Sequence, residues 1–133
     1  MSWVVEFHDD FEPEFLAFEP PVQDALLAVA RLLIDYGPQL GRPYADTLKG
    51  SKYVNMKELR FEAANGEWRI AFAFDPKRNA ILLVAGDKSG GTQKHFYKQL
   101  IAKADKRFSA HLDSLRAGKK ENRDGPKPER DYC

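Results

Sequence analysis

A single cysteine, Cys133, leaves no internal disulfide to form, which fits a reducing compartment. Long hydrophobic runs are missing as well: the most apolar stretch, AILLVAG from Ala80 to Gly86, falls far short of the roughly 20 residues that span a bilayer. The opening MSWVVEFHDDFEPEF carries acids where a secretory leader carries bases, so a cytoplasmic protein with no membrane contact is expected. Histidine is scarce, three in 133 residues, and no His or Cys cluster has metal-ligand spacing, so no metal and no cofactor are expected. What remains, 43% apolar and 31% charged, is the profile of a globular chain with one hydrophobic core.

A net charge of +1 conceals two poles. Between Met1 and Tyr36, eight acids (Glu6, Asp9, Asp10, Glu12, Glu14, Glu19, Asp24, Asp35) face one base, Arg31. From Lys88 to Lys120 bases dominate, with only Asp105 and Asp113 against them. A local basic surface attracts polyanions even on a nearly neutral molecule, although such a run is also what a solvated helix face carries.

The β-branched and aromatic WVVEF at Trp3 to Phe7 predicts a strand, and Asp10 to Ala17 a short helix. Pro20 and Pro21 then open a second helix, with Val22, Leu26, Val29, Leu33 and Tyr36 on one face and Gly37-Pro38 as its stop. A long connection follows, with a short strand near Tyr44 to Leu48. Alternation predicts three strands, Asn55 to Glu62, Glu67 to Asp75 and Ala80 to Asp87, joined by hairpins at Asn65-Gly66 and Pro76 to Asn79. From Gln93 the period becomes helical, with Phe96, Leu100, Ala104, Phe108, Leu112 and Leu115 on one side. The expected fold is α+β: an antiparallel sheet, two N-terminal helices on one face, the other face at least partly open, and a basic C-terminal helix. Residues 1–117 form the expected domain and residues 118–133 an expected disordered polar tail.

Strand parity puts Trp68, Ile70, Phe72 and Phe74 on the core side and Arg69, Ala71, Ala73 and Asp75 on the other. On the preceding strand Glu58 and Arg60 share the Arg69 side. Two guanidiniums over a floor of alanines would make a shallow trough for phosphate, to which arginine pairs bidentately. The alternative is a cross-strand pair of Glu58 and Arg69 on a solvated surface, and periodicity leaves both readings open.

The runs LGRPYADTLKGSKYVNMKELR, EWRIAFAFDPKRNAILLVAGDKSG and FYKQLIAKADKRF, in that order, resemble the RelE/HigB superfamily of type II toxins in its phage-derived branch. The likeness spans Pro38 to Phe108 and is sharpest at KELR (Lys57 to Arg60), WRIAFAFDP (Trp68 to Pro76) and GDK (Gly86 to Lys88). It implies a RelE-like fold and metal-free cleavage of mRNA on the ribosome through the RNA 2'-hydroxyl. It also implies a helix-turn-helix antitoxin of the HigA type as partner, with operator DNA reached only through that antitoxin. Two other activities stay open on this scaffold: ParE-like binding of DNA gyrase without catalysis, and RNA binding by a decayed phage-derived module.

Resemblance assigns Arg69 to the phosphate, and Arg60 and Lys57 to the basic positions of the preceding strand. Parity turns Lys57 away from Arg60 unless a bulge re-aims it. Tyr97 and His95 are the remaining catalytic candidates, Tyr97 as a base-stacking or proton-transfer group or else a core partner of Phe96 and Leu100. Lys88, Lys94, Lys98 and Glu58 complete the expected RNA-binding set, with Glu58 read as holding the arginines. His8 and His111 are left to solvent.

Overall fold

The computed structural model describes the backbone of residues 2–124 and the side chains of residues 2–118. The chain runs β1 (Val5–Phe7), α1 (Glu12–Leu16), α2 (Pro20–Tyr36), a 3-10 turn (Gly37–Gln39), β2 (Ala45–Thr47), β3 (Lys57–Ala63), β4 (Gly66–Phe74), β5 (Ala80–Asp87) and α3 (Gln93–Asp124). The strands form one sheet in the order β1-β5-β4-β3-β2. The expected α+β class and element order hold. The sheet departs from the expected antiparallel form at one edge, where β1 pairs parallel with β5, Val5 opposite Ala80 and Phe7 opposite Leu82. The chain passes from β1 through both N-terminal helices and three strands before β5 closes that pairing, so no hairpin signal marks it.

α2 begins where Pro20 and Pro21 supply helical φ without needing a backbone donor. It ends at Gly37, whose φ of +58° suits glycine and whose N–H reaches the Leu33 carbonyl. A Cβ at Gly37 would collide with the Trp3 indole. The apolar stripe of α2 packs with Phe11 and Phe15 against Leu59, Ile70, Phe72 and Leu82. Each such fully buried Leu or Phe stabilises the fold by roughly 1.5–3 kcal/mol.

The opposite sheet face is not open. α3 lies across it, and Leu100, Ala104 and Phe108 pack on Ala71, Ala73, Ile81 and Leu83. The alanines expected to floor a trough are fully buried, and their small size is what lets the helix approach the sheet. A register shift between Ala71 and Phe72 against β5 puts both Leu83 and Val84 on the α3 side. Arg107 of α3 donates to the Leu83 carbonyl at 2.8 Å and holds Glu14 of α1 with both terminal guanidinium nitrogens, at 3.0 and 2.5 Å. His111, expected in solvent, instead meets the buried Asp75 carboxylate at 2.9 Å.

The expected polar tail overlaps the last turns of α3, which continues to Asp124, and its remainder, residues 125–133, lies outside the described residues. Among the described residues no helix is long and apolar enough to cross a membrane.

Candidate active site

Arg60 and Arg69 stand directly opposite each other on β3 and β4. Both project toward the side that carries α3, as parity required, because Leu59 and Ile70 on the same strands point into the α2 core. Glu58, two residues before Arg60, lies on the same face and is almost wholly buried, at 3% exposure.

Glu58 is the hub of the cluster. One oxygen, Oε2, accepts from Arg60 Nε at 3.1 Å, and the other, Oε1, accepts from the Tyr97 hydroxyl at 2.8 Å. Arg69 Nε lies 3.9 Å from that second oxygen and is buried without a hydrogen-bond partner, while Arg69 Nη1 donates to the Trp68 carbonyl at 2.9 Å. Arg69 is therefore anchored to the Trp68 carbonyl by a hydrogen bond and tied to Glu58 by charge, and its side chain is only 11% exposed. Arg60 is more open, at 30%.

Two further carboxylates close the ring. Asp46 on β2 lies 3.9 Å from Arg60 Nη2 and takes a shorter bond, 2.7 Å, from Arg42. The Arg42 hydrogen bonds, helped by the Thr47 N–H, hold the Asp46 carboxyl below its ordinary value. Glu67 on β4 lies 4.0 Å from Arg69 Nη2 and 3.2 Å from Lys88 Nζ. Asp87 beside Lys88 accepts from the Glu67 N–H at 3.0 Å and the Ser89 hydroxyl at 2.6 Å. Burial opposes ionisation of Asp87, but these donors prevail and its carboxyl titrates below the ordinary range. Four cations, Arg42, Arg60, Arg69 and Lys88, thus stand among the carboxylates of Glu58, Glu67 and Asp46. The sequence reading missed Glu67 and Asp46, although parity already placed Glu67 beside Arg69.

Tyr97 packs on the α3-side core beside Phe96, and its hydroxyl reaches the cluster. Burial first, and the bond to Glu58 second, push the Tyr97 hydroxyl above the ordinary phenol value. At neutral pH it is a donor.

Lys57 points to the α2 side, its Nζ 3.5 Å from the Pro38 carbonyl, and β3 has no bulge against β4 to re-aim it. His95 is exposed at the start of α3 and lines a cavity between β5 and α3 with Gly90, Gly91 and Phe96. Lys94 and Lys98 are exposed on the first turns of α3. Lys88 is joined to the cluster through Glu67. The predicted phosphate trough is corrected accordingly: α3 seals its alanine floor, and the accessible part is an open pocket of about 270 Å³ at the outer ends of β3 and β4. Pro43, Tyr44, Arg60, Phe61, Glu67 and Arg69 line it. Among the described residues no group of three or more His, Cys, Asp or Glu side chains is arranged to hold a metal ion.

Residues 13–109 match the family described as phage-derived protein Gp49-like (DUF891). Two proteins of Mycobacterium tuberculosis (strain ATCC 25618 / H37Rv), provisionally designated toxin HigB2 and toxin HigB3, are similar in sequence. The first is 44% identical over 90 residues, covering 67% of this chain and 44% of that protein, so the chain spans under half of its length. The second is 42% identical over 104 residues, covering 78% of this chain and 89% of that protein. In three dimensions the chain is similar to a double arginine-to-alanine mutant of Escherichia coli toxin RelE in the free state, with a TM-score of 0.56 over 77% of this chain and 97% of that one. At 10% identity that likeness concerns the fold alone.

Proposed function

The chain belongs to the phage-derived Gp49-like branch of the RelE/HigB superfamily, and on that footing we propose that it is the toxin of a type II toxin-antitoxin pair, acting by cleavage of mRNA on the ribosome. The observation that carries the reading is the cross-strand pair Arg60 and Arg69 gathered on the buried Glu58 and lining an open pocket.

RNA contains its own nucleophile. When the 2'-oxygen attacks the adjacent phosphorus, the bond to the 5'-oxygen breaks and a 2',3'-cyclic phosphate forms. The 2'-hydroxyl gives up a proton and the departing 5'-oxygen gains one. Negative charge grows on the phosphoryl oxygens in the transition state, and preorganised cationic donors there lower the barrier. Arg60 offers its exposed Nη edge to that phosphate, and Arg69 supplies charge from a site where water screens it poorly. A phosphate in the pocket would displace Asp46 and Glu67 from their long contacts of 3.9 and 4.0 Å with the guanidiniums. Tyr97, kept protonated, suits the donor side of the proton transfers. Glu58 holds the arginines and the tyrosine in register. Lys88, Lys94 and Lys98 serve the RNA backbone around the cut, with no metal or other cofactor required.

The partners in this reading are the ribosome with its message and a helix-turn-helix antitoxin of the HigA type, which alone brings the toxin to operator DNA. The test is induced expression in a bacterium followed by mapping of RNA ends. Growth arrest with codon-phased cuts in translated messages is expected, relieved by coexpression of a cognate helix-turn-helix antitoxin. Arrest with intact messages and damaged DNA would contradict the reading.

A further inference from the structure

At the end of the sheet far from the arginines, β1 is an edge with no strand on its outer side among the described residues. The Val4 carbonyl accepts from the Ala80 N–H and the His8 N–H donates to the Leu82 carbonyl, each at 2.9 Å. Alternation then turns the N–H and C=O groups of Val5 and Phe7 outward, away from β5. Such a row of backbone groups is a template for another strand.

The two flanks of this edge differ in character. On the α2 side, Val5, Phe7, Leu27, Ala30 and Ile34 line an apolar cavity of about 310 Å³, and Leu27 is 49% exposed at its rim. The base beside it, Arg31, is paired with Asp35 at 3.6 Å. On the α3 side, Glu6, His8, Asp9, Asp10 and His111 line a polar cavity of about 420 Å³. In an added strand, successive side chains point to opposite faces, so alternate residues would enter the apolar cavity while the others meet Glu6, Asp9 and Asp10.

We infer that β1 is a docking edge for an extended polypeptide segment whose side chains alternate between apolar and basic. Charge complementarity selects this occupant. A second copy of the chain, pairing β1 against β1, would bring Glu6, Asp9 and Asp10 toward their own counterparts, which like-charge repulsion disfavours. An acidic segment is disfavoured for the same reason. Because β5 separates this edge from β4 and β3, whose hairpin end carries the arginine pocket, a segment bound here leaves that pocket uncovered, and the inference stands independently of the proposed cleavage.

The test titrates the full chain, isotope-labelled on its amides, with short synthetic peptides: alternating valine and lysine, alternating valine and glutamate, and the lysine peptide N-methylated along one backbone edge. The lysine peptide is expected to bind saturably, with amide shifts centred on Val5 and Phe7 and none at Arg60 or Arg69. Glu6→Lys and Leu27→Glu, both at exposed positions and each checked for an unchanged melting temperature, are expected to weaken it by roughly tenfold or more. Equal binding of the glutamate peptide would overturn the inference. So would equal binding of the N-methylated peptide, which retains the charge but not the strand pairing, or shifts centred elsewhere. Self-association of the chain through β1, seen by sedimentation, would also overturn it.

Discussion

The hydroxyl of Tyr97, on the first turns of α3, donates at 2.8 Å to the carboxylate of Glu58, in β3. That one bond joins the helix covering the sheet to the carboxylate that holds both arginines, so the position of α3 and the geometry of the cluster are coupled.

Tyr97→Phe removes the bond while keeping the ring against Phe96. It is expected to lower stability by about 1–2 kcal/mol in urea denaturation, because the buried Glu58 loses a donor. In a spectrophotometric titration the Tyr97 phenol of the wild type should ionise above the ordinary value near 10.0, a component absent from the variant. The sign follows from the raised folded value: the tyrosine's contribution is complete below the ordinary phenol value and is lost as pH rises through the folded one.

Arg107→Ala is expected to cost about 1–3 kcal/mol, since it leaves the Leu83 carbonyl at the register shift without its donor and Glu14 without its partner. The Arg107 hydrogen bonds hold the Glu14 carboxyl below its ordinary value of 4.5. Its contribution is therefore present above about that pH and lost as pH falls through the lower folded value, the usual direction for a paired carboxylate. Stability measured against pH in acid should fall less steeply in Glu14→Gln than in the wild type.

Gly86→Ala tests how tightly α3 sits on the sheet. A Cβ there would lie 2.9 Å from a ring carbon of Phe96, so the ring, or the first turns of the helix that carries it, must shift. A loss of about 1–3 kcal/mol is expected in thermal unfolding, with altered amide shifts at Phe96 and Tyr97.

Much of this fold is written locally. β5 has the bounds that alternation predicted, Ala80–Asp87, and α2 runs from Pro20 to Tyr36 as its stripe and stop signals required. The shared side of Arg60, Arg69 and Glu58 also followed from a period of two. What parity does not tell is what covers a face. Ala71 and Ala73 read equally well as the floor of a groove or as the seat of a helix, and only the non-local packing of Leu100, Ala104 and Phe108 decides for the helix. The same holds for the parallel pairing of a three-residue β1, which depends on a strand far along the chain. Glu67 was legible and overlooked, whereas the tie from Tyr97 to Glu58 joins residues 39 apart and carries no local signal.

The central claim is that the guanidinium of Arg69 stabilises phosphate chemistry on RNA, and end mapping of messages on purified translating ribosomes tests it most directly, comparing wild type with Arg69→Ala of matched secondary structure and melting behaviour. The account predicts discrete cuts with the wild type and at least a roughly hundredfold slower appearance of the same cuts with the variant. A folded Arg69→Ala protein that cuts at the wild-type rate would contradict it.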